Sequence, residues 1–370
     1  MATTTTTETL QYVQVPETSE SLDWADLRTL DLSKIDDPEG RRKLVAEFIQ
    51  AMQDVGFFYV KNHGLSREEI DTQFALAESV LLLPNEEKLK YRAALEQGDY
   101  NGWKLARTHN LIPGVKDNFE IYNIPKFIPE HAGRQHPEIV KEHLATIEKF
   151  SKHIHEKIVR RLLIIFALAL ELEDEEWLVK RHRYESTSGD HLRYMKYYAR
   201  SDEENKKLEN VWLKGHSDMG SLTLLFRQPV AALQVLTKDG IWKYVQPQMD
   251  ALTVNIADAL HFMTNGYLKS SIHRVVAPPK DQAHVDRLGV LYMVRIEDDA
   301  DLVPIEESPV LREKALLTNK ILDADGKPVK AGEWVRQRVI KNLGESTSKE
   351  GDNEVVEVEI IKGVSVKYFD

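Results

Sequence analysis

Two histidines and one aspartate have the spacing of a metal site. His216 and Asp218 are separated by one residue in Gly-His-Ser-Asp, and His273 lies in the run Ser-Ile-His-Arg-Val-Val. In an extended strand, side chains at positions i and i+2 point to the same side. His216 and Asp218 can therefore reach one ion, and His273 can complete the site if its strand faces theirs.

Two imidazoles and one carboxylate match the facial triad that binds Fe(II), which leaves three coordination positions for a bidentate co-substrate and dioxygen. The chain has no cysteine, so disulfides, zinc–thiolate sites, iron–sulfur clusters and thiol nucleophiles are excluded. A His-x-Asp tripeptide is common by chance, and taken alone it more often indicates a surface turn than a metal site. The surrounding sequence has to decide between these interpretations.

Bulk composition sets the broad class of the protein. Of the 370 residues, 42% are apolar and 29% are charged, which is the composition of a globular protein with a sizeable core. The net charge of −11 argues against nucleic acid as a partner. The N-terminus lacks the pattern of a signal peptide, and no apolar run reaches the ~18 residues that span a bilayer. We expect a cytoplasmic protein without membrane contact, as a monomer or weak homo-oligomer with a small-molecule substrate.

Secondary-structure signals change character along the chain. Apolar residues recur at helical spacing in the first half, whereas short β-type runs separated by Gly, Asp and Pro follow after Glu175. The pattern predicts a mainly β fold with flanking α-helices. The expected divisions are a flexible tail (1–22), a helical N-terminal region (23–175), a β core (176–345) and a C-terminal extension (346–370). The extension partly alternates apolar and polar residues, which is compatible with one more strand.

Several separate motifs occur in the order of one enzyme family. They include DVGFFYVKNHG early in the chain, GHSDMGSLTLL around the first two metal ligands, and LQVL, VNIAD, TNG and KSSIHRVV further on. Over about residues 25–345 the chain resembles the isopenicillin N synthase-like Fe(II)/2-oxoglutarate dioxygenases. The resemblance implies a distorted double-stranded β-helix (jelly roll) core with a helical N-terminal part. It also implies Fe(II), 2-oxoglutarate and dioxygen as cofactors.

The same resemblance implies a co-substrate site. In the family, an arginine on the strand after the third metal ligand binds the distal carboxylate of 2-oxoglutarate, and Arg287 lies at that position. A serine usually follows two residues later, but here the residue is Gly289. A family tyrosine that donates to 2-oxoglutarate corresponds to Tyr198. Because Lys196 alternates with Tyr198, we expect Lys196 to point inward and to replace part of the missing serine contact.

The substrate is only weakly encoded. Rough correspondence with the family, and for Met293 the alternation along the strand of Arg287, predicts the pocket residues Tyr100, Trp103, Phe119, Tyr122, Leu213, Phe226 and Met293. Such a pocket favours a small, apolar, ring-containing specialised metabolite, which would be hydroxylated, desaturated or cyclised with release of succinate and CO2. Two alternatives stay open: an oxidase of the same fold that does not use 2-oxoglutarate, and a catalytically silent jelly-roll binding protein.

Overall fold

The computed structural model describes residues 11–318, 321–323, 325–344, 355–361 and 364–369. Among the described residues, no helix combines the length and the apolar character needed to cross a bilayer. The α-helices are α1 (Pro38–Asp54), α2 (Arg67–Leu81), α3 (Asn85–Leu89), α4 (Glu138–Glu142), α5 (Leu144–His153), α6 (Arg160–Ala169), α7 (Asp202–Lys207), α8 (Asp258–Met263), α9 (Pro309–Glu313) and α10 (Ala331–Gly344).

Most of the described strands lie in the second half of the chain. The first eight are β1 (Thr29–Asp31), β2 (Phe57–Lys61), β3 (Gly102–Lys104), β4 (Asn110–Ile112), β5 (Val115–Lys116), β6 (Phe119–Pro125), β7 (His191–Tyr197) and β8 (Val211–His216). The remaining strands are β9 (Leu222–Leu225), β10 (Leu233–Leu236), β11 (Trp242–Tyr244), β12 (Ala251–Ile256), β13 (His273–Val276), β14 (Arg287–Val294), β15 (Val355–Ile361) and β16 (Val364–Phe369).

Two sheets form the core, as the jelly-roll expectation requires. The major sheet has eight strands in the order β1-β2-β12-β9-β14-β7-β6-β3, and the minor sheet has six in the order β11-β10-β13-β8-β16-β15. Strands β1, β2, β3 and β6 come from the region predicted to be a helical N-terminal part. That region and the β core therefore share one sheet.

The two faces of the major sheet have different neighbours. On the outward face, Phe58 of β2 packs edge-on against Phe48 of α1, and Tyr194 of β7 donates from its hydroxyl to Gln73 of α2 at 2.8 Å. On the inward face, Tyr197 of β7 packs against the minor sheet in a buried cluster. Because side chains alternate along a strand and opposed residues share a face, the register decides which residues line the interior.

The first described residues correct the expectation of a flexible tail up to residue 22. Tyr12 stacks on Phe74 of α2 with a centroid distance of 4.8 Å. The Thr18 hydroxyl donates to the Asp281 carboxylate at 2.8 Å, and the Gln282 amide donates to the Pro16 carbonyl at 2.8 Å. These contacts hold residues 12–18 against the β core, although the segment has little regular secondary structure. Residues 1–10 lie outside the described part of the chain.

The C-terminal extension contains two strands. β15 and β16 form an antiparallel hairpin, and Phe369 of β16 is paired with Gly215 of β8. The hairpin thereby extends the minor sheet beside the strand that carries His216. The alternation of apolar residues predicted one strand here, whereas the structure has two. The pairing of β16 with β8 could not be inferred from the sequence, because it is a long-range contact.

Candidate active site

The three predicted metal ligands come together in the interior. His216 of β8 and His273 of β13 are directly opposed, with ring centroids 4.4 Å apart. The Nε2 atom of His273 lies 3.9 Å from Oδ2 of Asp218, and one ligand atom from each of the three residues falls within 4.8 Å of the others. β8 ends at His216, so Asp218 reaches the site from the following loop and not from the strand itself.

Backbone carbonyls fix the two imidazoles. Nδ1 of His216 donates to the carbonyl of Lys214 at 2.9 Å, and Nδ1 of His273 donates to the carbonyl of Ser271 at 3.1 Å. A carbonyl can only accept, so Nδ1 carries the proton in both rings. Each Nε2 therefore keeps a lone pair for a metal ion, and the carbonyl contact sets the orientation of the ring.

Two neighbouring strands hold the carboxylate of Asp218. Its Oδ2 atom accepts hydrogen bonds from the Thr223 hydroxyl at 2.6 Å and from the Asn255 side-chain amide at 3.0 Å. Thr223 and Asn255 face each other across β9 and β12 on the inward face. Neither was predicted as a site residue, although Asn255 lies in the VNIAD motif and Thr223 in the GHSDMGSLTLL motif.

Replacing Thr223 with valine removes one of these two hydrogen bonds while nearly preserving side-chain volume. We expect Thr223→Val to weaken Fe(II) affinity by about 10- to 100-fold, because partners that orient metal ligands typically contribute that much. Fe(II) affinity can be measured by anaerobic titration, with Thr72→Val at a half-buried position of α2 as a control. Equal affinities for Thr223→Val and the wild type would show that the Thr223 hydroxyl does not position Asp218.

The charge state of the triad suits a cation. Burial and the neighbouring His273 lower the pKa of His216 to about 4, so its ring is neutral at pH 7. Burial alone would raise the pKa of Asp218, but His273, His216 and the two hydrogen bonds hold that pKa well below its usual range. A neutral imidazole and an ionised carboxylate are the forms that bind a metal ion.

Helix α10 supports the loop that carries Asp218. Arg338 of α10 is 2% exposed, pairs with Asp258 at 2.8 Å and donates to the Ser217 carbonyl at 3.1 Å. The backbone N–H of Asp258 in turn donates to the carbonyl of Asp218 at 2.9 Å. This buried ion pair fixes the loop between the first two ligands. Sequence reasoning missed Arg338, because it lies 120 residues along the chain from Asp218 and outside the quoted motifs.

Arg287 begins β14 and faces the interior. It is opposed to Tyr197 in the register, and its guanidinium carbon lies 5.7 Å from the Tyr197 ring centroid. Burial lowers the pKa of Arg287 to about 10, which still leaves it charged at neutral pH. Its Nε atom has no hydrogen-bond partner among the described residues. A buried cation without an anion is costly, and a carboxylate matches a guanidinium with two parallel hydrogen bonds.

The structure corrects the predictions for Tyr198 and Lys196. The register opposes Lys196 to Leu288 and Glu120, on the outward face, whereas Tyr197 shares the inward face with Arg287. The Tyr198 hydroxyl donates to the Glu120 carboxylate at 2.6 Å, on that same outward side. The alternation that links Lys196 to Tyr198 holds, but both residues point away from the interior. Tyr197 occupies the place that was assigned to Tyr198.

Gly289 is explained by a neighbouring glutamine. A Cβ atom built at Gly289 would lie 2.0 Å from Nε2 of Gln228. The Gln228 amide therefore fills the space of a side chain at position 289. Gln228 is 8% exposed, and its Oε1 atom is buried without a hydrogen-bond partner in the described part of the chain. A side-chain amide offers both a donor and an acceptor where the family has a hydroxyl.

The predicted pocket residues separate by strand face. Phe119 opposes Tyr197 on the inward face, Met293 contacts Thr223 with its sulfur 3.8 Å from the hydroxyl oxygen, and Leu213 packs in the buried cluster around Tyr197. Tyr100 also faces inward, with its ring 4.8 Å from the guanidinium carbon of Arg193. These four remain candidates for the pocket.

The other three predicted pocket residues are core residues on the outward face. Tyr122 opposes Tyr194 and shares a hydrogen bond of 2.6 Å with His136. Trp103 packs on Tyr122 with a centroid distance of 4.6 Å. Phe226 packs on Phe150 of α5, with a centroid distance of 5.1 Å. Their prediction as pocket residues is wrong because one step along a strand moves a side chain to the opposite face.

Comparison with known proteins agrees with this geometry. Residues 27–143 match the family described as non-haem dioxygenase in morphine synthesis N-terminal, and residues 189–293 match the 2OG-Fe(II) oxygenase superfamily. The chain is 32% identical to UPF0676 protein C1494.01 of Schizosaccharomyces pombe, over 83% of this chain and 91% of that protein. It is also 30% identical to 2-oxoglutarate-dependent dioxygenase frbH of Dothideomycetidae sp., over 76% of this chain and 86% of that protein.

The chain belongs to the 2OG-Fe(II) oxygenase superfamily. The crystal structure of Neurospora crassa T7H in complex with alpha-KG has the same fold, with a TM-score of 0.73 and 21% identity over 86% of this chain and 99% of that one. The protein is a 2-oxoglutarate-dependent dioxygenase, and the cofactors of this superfamily are Fe(II), 2-oxoglutarate and dioxygen.

Proposed function

We propose that Nε2 of His216, Nε2 of His273 and the carboxylate of Asp218 hold Fe(II) in this oxygenase. The donor set fits the ion, because two neutral imidazoles and one ionised carboxylate converge from one side. When bound, Fe(II) supplies the redox chemistry that couples decarboxylation of 2-oxoglutarate by dioxygen to oxidation of the substrate, with release of succinate and CO2. The convergence of the three ligand atoms within 4.8 Å of one another is the observation that carries this assignment.

Arg287 is the proposed anchor for the distal carboxylate of 2-oxoglutarate. It is buried, it faces the interior and no carboxylate among the described residues pairs with it. Tyr197 lies directly opposite and presents its ring to the same space. These contacts orient the co-substrate and keep water from its charged end, which is the contribution that the protein makes to such chemistry.

Gln228 is proposed to replace the family serine, with its side-chain amide donating a hydrogen bond to the distal carboxylate of 2-oxoglutarate. We expect Gln228→Ala to raise the Michaelis constant for 2-oxoglutarate about tenfold, since a hydrogen bond to a charged group contributes ~1.5 kcal/mol. Gly289→Ser alone should not lower this constant, because the new side chain displaces Gln228. Combining both changes should restore part of the affinity.

Steady-state kinetics with varied 2-oxoglutarate give the Michaelis constants of the two single variants and of the double variant. Gln246→Ala, a glutamine that follows β11, serves as a matched control. A Michaelis constant for Gln228→Ala equal to that of the wild type would remove Gln228 from the co-substrate site.

The proposed substrate is a small, ring-containing molecule that is hydroxylated, desaturated or cyclised. The interior beside the triad offers Tyr100, Phe119, Leu291 and Met293, which are apolar or aromatic side chains. Among comparable proteins, Naringenin,2-oxoglutarate 3-dioxygenase of Petunia hybrida is 27% identical over 85% of this chain and 79% of that protein. That protein is named for naringenin, a ring-containing compound, which supports the same substrate class here.

Met293 lies next to the triad through its contact with Thr223. We expect Met293→Phe to change the product distribution or substrate range, because a larger ring reshapes the pocket wall. The Michaelis constant for 2-oxoglutarate should change less than twofold. Product profiles from a substrate screen provide the measurement, and a variant altered only in co-substrate binding would place Met293 outside the substrate pocket.

Succinate release separates the proposed function from the alternatives. Substrate-stimulated formation of succinate that depends on Fe(II) and 2-oxoglutarate is the expected result. An oxidase that does not use 2-oxoglutarate would oxidise substrate without succinate, and the unpaired, buried Arg287 argues against it. A silent binding protein would form no succinate at all, and the intact triad argues against that reading.

A further inference from the structure

Two more arginines face the interior, at the opposite end of the major sheet from Arg287. Arg193 of β7 is opposed to Leu291 of β14 on the inward face, and Arg295 lies two residues beyond Met293. Arg193 is 9% exposed and Arg295 is 2% exposed. Neither forms an ion pair with any residue that the structure describes, so two guanidinium charges are buried without a partner of opposite sign.

The contacts of Arg193 are all with neutral groups. Its Nε donates to Oδ1 of Asn123 at 2.9 Å, and its ring contact is with Tyr100, at 4.8 Å. Its NH2 group donates to Nε2 of His191 at 3.2 Å. Because Nδ1 of His191 donates to the carbonyl of Gly189 at 2.8 Å, Nε2 is the acceptor of a neutral ring. Burial and both arginines hold the pKa of His191 well below its usual range, which agrees with that neutral state.

Arg295 has even fewer partners. Its Nε and NH1 atoms are buried and have no hydrogen-bond partner among the described residues. The side chain lies against Gly220, where an added Cβ would be 3.4 Å from NH1. Gly220 lies two residues after Asp218, in the loop between β8 and β9. The guanidinium of Arg295 therefore lies beside the metal loop, on the side of Met293.

The nearest acidic groups are already engaged. Asp190 lies 3.5 Å from the Lys126 ammonium and 3.7 Å from His155, and it also accepts a hydrogen bond from the Ser188 hydroxyl. From Arg295 it accepts only the backbone N–H, at 3.1 Å. Asp218 belongs to the metal site. Burying a cation is expensive unless an anion compensates it, and here two cations share one region. The two guanidinium charges are therefore compensated only when a ligand with negative charge binds beside them.

The co-substrate cannot be that ligand. Arg287 and Arg295 are eight residues apart on one extended segment, which corresponds to about 26 Å at ~3.3 Å per residue. A five-carbon dicarboxylate that is anchored at Arg287 does not reach Arg295. The two cationic positions must therefore serve different molecules.

We propose that Arg193 and Arg295 bind a carboxylate of the primary substrate, so that this oxygenase acts on a small ring-containing carboxylic acid. The proposal rests on the proposed function and narrows its substrate class. Guanidinium groups recognise carboxylates through paired hydrogen bonds, and Tyr100 and Met293 supply the apolar surface for the ring. His191 and Asn123 act as positioning residues, because they orient Arg193 without adding charge.

The first test needs no ligand. Arg295→Met removes an unpaired buried charge, so the melting temperature of the enzyme should rise by about 2 °C or more, or stay unchanged. Arg338→Met is the matched control, because Arg338 is equally buried but is ion-paired with Asp258. That variant should lower the melting temperature. If Arg295→Met also lowers the melting temperature clearly, Arg295 has a structural role and the proposal is overturned.

The second test measures binding. Enzyme that is loaded anaerobically with Fe(II) and 2-oxoglutarate is titrated calorimetrically with phenylacetate, cinnamate and indole-3-acetate, with their methyl esters, and with thymine as a neutral ring. At least one acid should bind, and its ester should bind about tenfold more weakly or worse. Arg193→Gln and Arg295→Gln should each remove this preference, whereas the exposed Arg183→Gln should keep it.

The visible charge-transfer band of the Fe(II)–2-oxoglutarate complex is recorded for every sample. Three outcomes with an intact band would overturn the carboxylate site while the proposed function stands. They are equal binding of acid and ester, binding of thymine alone, and no binding of any acid. Loss of the band in the wild type would instead contradict the proposed function itself.

Discussion

Asp218→Ala is expected to abolish 2-oxoglutarate turnover and to leave the fold intact. The change removes the only carboxylate of the triad, and two imidazoles alone leave the ion without its charged ligand. The loss in activity should exceed about 100-fold, since even partners that merely orient a ligand contribute 10- to 100-fold. Succinate formation measures turnover, and circular dichroism with the melting temperature measures the fold.

Asp239→Ala provides the matched control, because this aspartate is exposed in the turn between β10 and β11. That variant should match the wild type in both measurements. If Asp218→Ala keeps more than a tenth of wild-type turnover, the ion is held elsewhere. A variant that unfolds would be replaced by Asp218→Asn, which keeps the shape of the side chain and loses its charge.

Arg287→Gln is expected to raise the Michaelis constant for 2-oxoglutarate by about 30-fold or more. Removing one partner of a buried, hydrogen-bonded charge pair costs about 2–5 kcal/mol. The protein itself should not become less stable, because Arg287 has no anionic partner among the described residues. Fe(II) affinity without co-substrate should also be unchanged.

The control for Arg287→Gln is Arg312→Gln, at an exposed position on α9. Initial rates at varied 2-oxoglutarate give the comparison. If both variants keep the wild-type Michaelis constant, Arg287 does not contact the co-substrate, and Lys104 would become the next cation to test. Lys104 borders the interior 3.7 Å from the Phe119 ring centroid.

The spacing of His216 and Asp218 raised the possibility of a metal site, and the resemblance of several motifs to a known family led to the complete triad and to Arg287. His216, Asp218 and His273 are distinguished by residue types that few other functions require in that order, and the structure brings them together. Many short β-type runs with turns between them predicted a sandwich or a jelly roll, and the family resemblance favoured the jelly roll.

Strand faces and long-range contacts were not predictable in the same way. The alternation between Lys196 and Tyr198 was right, but only the pairing of Arg287 with Tyr197 decides which set faces inward. The same one-residue ambiguity misplaced Trp103 and Tyr122. A single strand does not encode its register relative to its neighbours.

Gln228 and Arg338 illustrate the second limit. Gln228 follows β9, and only the fold brings its amide to Gly289 on β14. Arg338 reaches the metal loop from α10, far along the chain. Both residues lie outside the motifs, so only the tertiary structure shows that Gln228 lies against Gly289 and that Arg338 contacts the loop of Asp218.

Anaerobic titration of the wild-type protein with Fe(II) in the presence of 2-oxoglutarate tests the central claim most directly. The triad and Arg287 together predict one visible charge-transfer band that saturates at one equivalent of Fe(II), and that bleaches with formation of succinate when oxygen and substrate are admitted. Asp218→Ala should give no band. A wild-type protein that binds no Fe(II), or that binds Fe(II) without responding to 2-oxoglutarate, would contradict the account.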